Sequence, residues 1–168
     1  MVRQYLSLKE KHKECLLLFR LGDFYELFYE DAHLASAALD ITLTKRGKNE
    51  DSMPMCGIPF HAAENYIGRL IKKGFKVAIC EQLETPEEAK KRGPKSIVHR
   101  DVMRIITPGT LVEETFLDSD QNNFLVSLHH IKGSIGVAAI DISTGDFFTE
   151  NVSISSLESA ISRLNPKE

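Results

Sequence analysis

Residues 20–32 read RLGDFYELFYEDA and carry the clearest local signal in the chain. Gly22 and Asp23 predict a tight turn, because both residue types favour turn conformations. The aromatic run at 24–29 predicts a strand, and residues 30–32 predict the first turn of a helix. Ahead of the turn, the apolar run at 16–19 is typical of a buried strand. This stretch therefore predicts two strands joined by a turn and followed by a helix.

Glu26 is the unusual residue of the aromatic run. Because side chains alternate between the faces of a strand, Glu26 lies between Phe24 and Phe28 on one face. The opposite face carries the other members of the run, Tyr25, Leu27 and Tyr29. A buried carboxylate without a partner is costly, so either an arginine such as Arg20 pairs with Glu26 or this end of the strand leaves the core. The residues alone favour core aromatics with a salt-bridged glutamate over a binding site.

The remaining elements follow from hydrophobic periodicity and from the positions of glycine and proline. Apolar spacing predicts helices at 4–12, from 30 onward, and at 62–73, 85–91 and 153–164. Further strands are predicted at 41–44, 75–80, 102–107, 124–129, 134–142 and 146–149. Residues 48–52 predict a polar loop, and residues 53–59 contain too much proline and glycine for a helix. The alternation of strands and helices predicts an α/β fold of the α+β type, with a mixed β-sheet flanked by helices.

Length and composition describe one globular domain, or one domain with part of a second. The chain has 168 residues, and its 42% of apolar residues is enough to form a core. The longest apolar run covers residues 15–19, far short of the roughly 20 residues of a membrane helix, and no signal segment opens the chain. The widely spaced Cys15, Cys56 and Cys80 predict neither a disulfide framework nor a zinc ribbon. We therefore expect a cytoplasmic protein with no membrane partner.

Charge is divided unevenly along the chain. Residues 1–110 hold 18 Lys and Arg against 15 Asp and Glu, whereas residues 111–168 hold 3 against 9. Residues 90–104 are basic, and they either meet a polyanion or form a solvated face. The change near residue 111 predicts a domain at 1–112, a linker at 113–123 and a second unit at 124–168. Because about 45 residues rarely form an independent core, we expect 124–168 to be the incomplete start of a second domain.

Sequence motifs of several enzyme classes are absent. The phosphate loop GxxxxGK[ST], the dinucleotide fingerprint GxGxxG, the metalloprotease motif HExxH and the nucleophile elbow GxSxG do not occur. Neighbouring His129 and His130 would point to opposite faces of a strand and predict no metal site. We therefore expect no catalytic residue, metal or cofactor in this segment. A metal-dependent nuclease is one alternative, although Leu83 stands where such a site would need a lysine, and a structural or partner-binding α/β domain is another.

Several blocks of the chain resemble, in order, the amino-terminal mismatch-recognition domain of the bacterial MutS family of DNA mismatch repair sensors. The blocks are RLGDFYELFYEDA at 20–32, ITLTKRG at 41–47, MPMCGIPFHAAENYIGRLIKKGFKVAICEQLETP at 53–86 and VMRIITPGT at 102–110. The tail that begins with FLVSLHH at 124 is similar to the start of the family's connector domain. The resemblance implies a MutS domain I-like fold followed by a partial RNase H-like unit.

The resemblance also implies roles for individual residues. Phe24 corresponds to the aromatic wedge that enters the minor groove at a mispair, and Glu26 to the carboxylate beside it. Lys45, Arg46 and Arg100 correspond to cations that contact the DNA backbone. The implied ligand is mispaired or looped duplex DNA. A homodimer and a MutL-type partner are implied for the full-length protein, and this segment alone is expected to be monomeric and non-catalytic.

The same family implies a nucleoid-associated location and assigns ATP and Mg to a carboxy-terminal ATPase domain, which we expect to lie outside this sequence. A wedge unstacks a base step, and this costs less at a mispair, where stacking is already weakened. Since phosphates repel a carboxylate, we hypothesise that Glu26 gains selectivity by accepting a hydrogen bond from a displaced base. Where the base offers only a ring acceptor, the carboxyl group must be protonated.

Overall fold

The computed structural model describes residues 1–47 and 52–168. Its contacts divide the chain into two compact units, Met1–Ile106 and Thr107–Glu168, each with its own sheet. The loop predicted at 48–52 lies, apart from its last residue, outside the described residues. No helix in the described parts of the chain combines the length and the apolar character that a membrane span requires.

The first unit is built on a mixed sheet. Its strands are β1 Cys15–Leu21, β2 Phe24–Phe28, β3 Thr44–Arg46, β4 Met53–Pro59, β5 Lys76–Gln82 and β6 Arg100–Ile106. Its helices are α1 Val2–Lys11, α2 Tyr29–Leu39, α3 Ala63–Lys72 and α4 Pro86–Lys91. The strand order is β3-β4-β2-β1-β5-β6, with β1 and β5 parallel and the other neighbours antiparallel. The predicted α/β fold with a mixed sheet and flanking helices is confirmed.

The core of this unit lies against β1, whose first five residues are all buried. A continuous apolar run is what a strand covered on both faces requires. On one face, the ring of Tyr5 from α1 packs edge to face against Phe19 and Phe28, with centroids 5.6 and 5.0 Å apart. Helix α3 packs on β5, and α2 packs on β4. The site described below therefore sits on a well-packed sheet.

A buried carboxylate ties α2 to the rest of the unit. Asp31 accepts hydrogen bonds from the backbone N–H of Leu17 at 3.0 Å and from the hydroxyl of Tyr5 at 3.2 Å. Its other oxygen lies 2.8 Å from the ammonium of Lys9. Tyr29 has a φ of 54°, and its left-handed backbone turns the chain from β2 into α2. The prediction that Tyr29 continues the strand was therefore wrong, because tertiary contacts hold a conformation that is locally unfavourable for tyrosine.

Two segments near the edge of the sheet differ from the sequence prediction. Residues 41–43 are irregular, and the strand lies instead at Thr44–Arg46, where it pairs with the first residues of β4. The alternation at 41–44 was misleading because all three residues of this edge strand are exposed. Residues 53–59, correctly excluded as a helix, form β4, with Pro54 and Pro59 at its second and last positions.

The second unit contains three hairpin-linked strands and one helix, as the sequence predicted. They are β7 Leu125–Ile131, β8 Ser134–Asp141, β9 Asp146–Ser153 and α5 Leu157–Leu164. The helix begins four residues later than predicted, because residues 154–156 form a 3-10 turn. Burial raises the pKa of Asp141, but hydrogen bonds from Ser143, Asn123 and Asn122 outweigh it, and the net pKa is lowered.

Candidate nucleic-acid interface

Phe24 begins β2, an inner strand, at the end of the sheet where β1 turns into β2. It pairs with Leu21 on β1 and with Pro59 on β4. Its side chain is 47% exposed, whereas Phe28, on the same face at the other end of the strand, is 1% exposed. The ring of Phe28 packs against Tyr5 of α1 in the core, whereas the ring of Phe24 projects into solvent. Phe24 thus has the exposure that insertion into DNA requires.

The turn before Phe24 is held on both sides. Gly22 has a φ of 61°, a left-handed conformation that glycine adopts without steric cost. Its backbone N–H donates to the side-chain oxygen of Gln82 at 3.1 Å, and the carbonyl oxygen of Asp23 accepts from the N–H of Phe60 at 2.8 Å. No local pattern predicts the roles of Gln82 and Phe60, since these contacts join distant parts of the chain. Together they fix the backbone from which the Phe24 ring projects.

Glu26 forms an ion pair with Arg46, from edge strand β3. A guanidinium nitrogen of Arg46 lies 2.5 Å from one carboxylate oxygen of Glu26, and the two side chains are 42% and 17% exposed. Across the ladder from Glu26 lies Gly57, where an added Cβ would stand 3.7 Å from the Phe24 ring and 3.8 Å from Cγ of Glu26. Phe24, Glu26 and Arg46 are therefore brought together on one surface.

Arg20, the arginine suggested by the sequence, does not pair with Glu26. The register places Phe19 opposite Glu26 and Arg20 opposite Tyr25, so Arg20 lies on the other face of the sheet. There its guanidinium stacks 3.3 Å from the centroid of the Phe60 ring. Glu26 does pair with an arginine, as one of the two predicted alternatives required, but the partner is Arg46. The choice of Arg20 was wrong because the face on which a residue of a paired strand lies depends on a register that the sequence does not reveal.

A cluster on that other face surrounds the hydroxyl of Tyr25. The hydroxyl donates a hydrogen bond to Glu81, which also lies 3.8 Å from the guanidinium of Arg20. The pKa of Tyr25 is raised above its ordinary value, mainly by burial and secondly by the hydrogen bond to Glu81. Tyr25 is buried, so this cluster anchors one face of β2 while Phe24 remains exposed on the opposite face.

Arg100 begins β6, at the edge of the sheet opposite β3, and its guanidinium is engaged within the domain. It donates to the carbonyl oxygen of Arg20 at 2.7 Å, to the carbonyl oxygen of Val98 at 3.0 Å and to Gln82 at 3.1 Å. A longer bond of 3.3 Å reaches Gln4, and the group lies 5.1 Å from the centroid of the Phe19 ring. Burial lowers the pKa of Arg100. Through Gln82, Arg100 is linked to the turn that carries Phe24.

Lys45 lies beside Arg46 on β3 and is exposed. Adjacent residues of a strand point to opposite faces, so Lys45 points away from the Glu26 side of the sheet. The structure therefore places the five predicted site residues in three positions: Phe24, Glu26 and Arg46 together, Lys45 on the reverse face of the same edge, and Arg100 at the opposite edge. Among the described residues, no group of three or more His, Cys, Asp or Glu side chains could hold a metal ion.

Comparison with known proteins places this chain in a family. Residues 1–115 match the family model described as MutS domain I, and residues 123–168 match MutS domain II. The chain is 54% identical over 167 residues to the DNA mismatch repair protein MutS of Anaplasma phagocytophilum, and 55% identical over 172 residues to that of Rickettsia canadensis. The alignments cover 99% and 100% of this chain but 20% and 19% of the relatives. The chain thus spans about one fifth of the length of the curated relatives it matches.

Proposed function

The chain belongs to the MutS family of DNA mismatch repair proteins, and we propose that it is a mismatch-recognition module that binds mispaired or looped duplex DNA without catalysing a reaction. The observation that carries this proposal is the exposed ring of Phe24 on a fixed inner strand. Family membership supports the ligand class, and the exposure of the ring supports the proposed mode of binding.

Phe24 acts as a wedge in the minor groove. Inserting an apolar side chain between base pairs unstacks a step at a cost of a few kcal/mol and kinks the duplex. The ring recovers part of that cost by stacking on a base, which is worth roughly 1–3 kcal/mol. A mispaired step is already poorly stacked, so the same insertion costs less there than at a matched step. The difference between these two insertion costs gives the preference for mispaired DNA, and this preference does not depend on base sequence.

Glu26 adds selectivity by accepting a hydrogen bond from a displaced base. An unpaired carboxylate near phosphates would weaken binding to every duplex. A mispaired base that donates an N–H to the carboxylate offsets this repulsion, whereas a stacked, matched base cannot. At mispairs that present a ring acceptor instead, the proposal requires a protonated carboxyl group.

Lys45 and Arg46 contact DNA phosphates from the exposed edge strand β3. Such contacts hold the register of the complex without carrying mismatch information. For Arg100, a phosphate contact remains part of the proposal, but the group would have to share a guanidinium that already bonds to Arg20, Val98 and Gln82. We therefore assign to Arg100 a second role in fixing the turn before Phe24.

The wider biology of the protein is proposed from the family alone. It comprises a homodimer of the full-length protein, a MutL-type partner, and a cytoplasmic location close to the nucleoid. ATP and Mg are assigned to an ATPase domain outside these 168 residues, and no cofactor is assigned to the segment itself.

The experiment that tests the wedge compares binding of mispaired and matched duplexes by fluorescence anisotropy at fixed low salt. The protein is the full-length MutS of Anaplasma phagocytophilum in which this 168-residue chain replaces the aligned segment, and the substitutions are made in this chain. We expect Phe24→Ala to weaken mispair binding by about 5- to 150-fold, the loss of one stacking contact, with little change for matched duplex. Phe147→Ala, which removes an exposed ring of the second unit, is the matched control and should change neither affinity.

Two outcomes contradict the proposal. An unchanged preference in Phe24→Ala means that the ring is not the wedge, and an equal loss for both duplexes means that it contributes affinity alone. Magnesium-dependent nicking of DNA by the purified 168-residue chain would instead support the nuclease alternative.

A further inference from the structure

We propose that Arg46 is a positioning residue for Glu26, and that mispair specificity depends on this ion pair as well as on the wedge. The inference rests on the proposed function, since it concerns how the same surface distinguishes one duplex from another. It assigns to Arg46 a role that Lys45, the neighbouring cation on the strand, does not share.

The first observation is the contact itself. Arg46 reaches Glu26 across β4, which separates β3 from β2 in the sheet, and one guanidinium nitrogen lies 2.5 Å from Oε2 of Glu26. Across residues 1–47 and 52–168, Arg46 is the one group that donates to this carboxylate, so Oε1 keeps its acceptor capacity. One oxygen is held while the other is left to accept from a ligand.

The second observation is the place of the pair beside the exposed ring. The carboxylate is more enclosed than the guanidinium, with exposed fractions of 17% and 42%. Glu26 and Phe24 both border Gly57, which has no side chain to separate them. A base displaced by the ring of Phe24 would therefore arrive next to a carboxylate whose orientation is already set by Arg46.

Charge and geometry explain why this arrangement raises selectivity. A free glutamate has several rotamers and loses conformational entropy when it binds a base, whereas a glutamate held by an ion pair has lost most of that freedom before binding. The guanidinium has five N–H donors in a rigid fork. Arg46 can therefore hold Glu26 with one donor and turn the others towards a phosphate, which also cancels the repulsion between that phosphate and the carboxylate.

Lys45 is the natural comparison. It is exposed on the same edge strand and faces away from Glu26, and it has no acidic partner among the residues that the structure describes. If both cations only neutralise phosphates, their replacement should weaken matched and mispaired binding alike. If Arg46 acts through Glu26, its replacement should also lower the ratio of mispaired to matched affinity.

A double-mutant cycle tests this inference in the full-length Anaplasma phagocytophilum relative that carries this 168-residue chain in place of its aligned segment. The variants are Arg46→Ala, Glu26→Ala and their combination, with Lys45→Ala as control, and the readout is the affinity ratio for a G·T mispair and its matched duplex at fixed salt. We expect Arg46→Ala to reduce the ratio by about fivefold or more, the effect of a lost charge-assisted hydrogen bond. In the Glu26→Ala background the same change should lower both affinities and leave the ratio unaltered.

Two conservative variants separate positioning from charge and from damage to the fold. Arg46→Lys keeps the charge but not the fork, so it should restore overall affinity more fully than it restores the ratio. Arg46→Gln keeps a donor without the charge, so it should restore the ratio more fully than it restores overall affinity. A variant that merely disturbs β3 would lower the ratio in both Glu26 backgrounds.

The inference is overturned if Arg46→Ala behaves as Lys45→Ala does, or if its effect on the ratio persists without Glu26. That result leaves the wedge intact, provided that Phe24→Ala still removes the mispair preference. If Phe24→Ala leaves the preference unchanged, the proposed function itself has failed. The two failures are therefore distinguishable in one set of titrations.

Discussion

Replacement of Arg100 by alanine should destabilise the first unit strongly, although arginine at the start of an edge strand is ordinarily a dispensable surface residue. The reason is that its guanidinium joins α1, β1 and β5 through Gln4, Arg20 and Gln82. Alanine would remove all of these donors and leave the carbonyl oxygen of Arg20 without this partner. It would also release the side chain of Gln82, which holds the turn at Gly22.

The expected loss follows from the contacts. Each hydrogen bond from a charged donor contributes about 1.5–3 kcal/mol when buried, and nearer 1 kcal/mol when partly exposed. The three shorter bonds of Arg100, at 2.7, 3.0 and 3.1 Å, together with its place over the Phe19 ring, then give about 3–5 kcal/mol. Since a whole domain is stable by about 5–15 kcal/mol, this is a large fraction of the total.

The assay is urea unfolding of the 168-residue chain followed by tyrosine fluorescence. The chain has no tryptophan, and its four tyrosines, at positions 5, 25, 29 and 66, all lie in the first unit, so this signal reports on that unit alone. With a urea dependence of about 2 kcal/mol/M, the midpoint should fall by about 2 M. Lys45→Ala, the exposed control, should stay within about 0.5 kcal/mol of wild type.

A loss below about 1 kcal/mol in Arg100→Ala would refute this reasoning. It would mean that the guanidinium is not needed to hold the domain and is available for a DNA phosphate, the role that the family resemblance implies. Arg100→Lys should fall between wild type and alanine, because a lysine keeps the charge but cannot reach all the acceptors at once.

Three further results are expected. Asp31→Asn should lower the unfolding free energy of the first unit by about 2–4 kcal/mol in the same urea assay, because Lys9 loses its buried carboxylate. Burial raises the pKa of Cys56 to about 11 and of Cys80 to about 12. At pH 8 both thiols should therefore react with a disulfide reagent only after urea is added. The free energy of unfolding should fall as pH rises above about 9, because the thiols ionise there in the unfolded chain but not yet in the folded one. The pKa of Asp141 is lowered, so its contribution to the stability of the second unit is present above about pH 4 and is lost as pH falls through the native pKa. Amide exchange in β8 should accelerate over that acid range in wild type. Asp141→Asn should remove this acid-dependent acceleration.

Local patterns were enough to predict the elements whose faces differ in polarity. Helix α3 falls at Ala63–Lys72 against a prediction of 62–73, because its apolar residues recur at helical spacing and Gly74 follows its end. The exposure of Phe24 could not be predicted in this way, since the alternation of β2 treats Phe24 and Phe28 alike. Tertiary packing separates the two rings, since Phe28 contacts Tyr5 of α1 in the core and Phe24 remains exposed.

The partners of the site residues depend on strand register and strand order. Arg46 pairs with Glu26 because the registers of β3 and β2 against β4 put both residues on one face of the sheet, and Arg20 fails to pair because it lies on the other face of β1. Both are properties of the assembled sheet. The contact between Gln82 and Gly22 joins residues 60 positions apart, beyond the reach of any local pattern.

The ring of Phe24 stands on a strand that is hydrogen-bonded on both sides, to β1 and to β4. A side chain that distinguishes base steps by how easily they deform has to be held more rigidly than the DNA. If Phe24 is the proposed wedge, a ring carried by a flexible loop would move away from matched and mispaired base steps alike, whereas a ring on this strand would leave the DNA to deform. The stiffness of the sheet would thus convert a small difference in the compliance of DNA into a difference in binding.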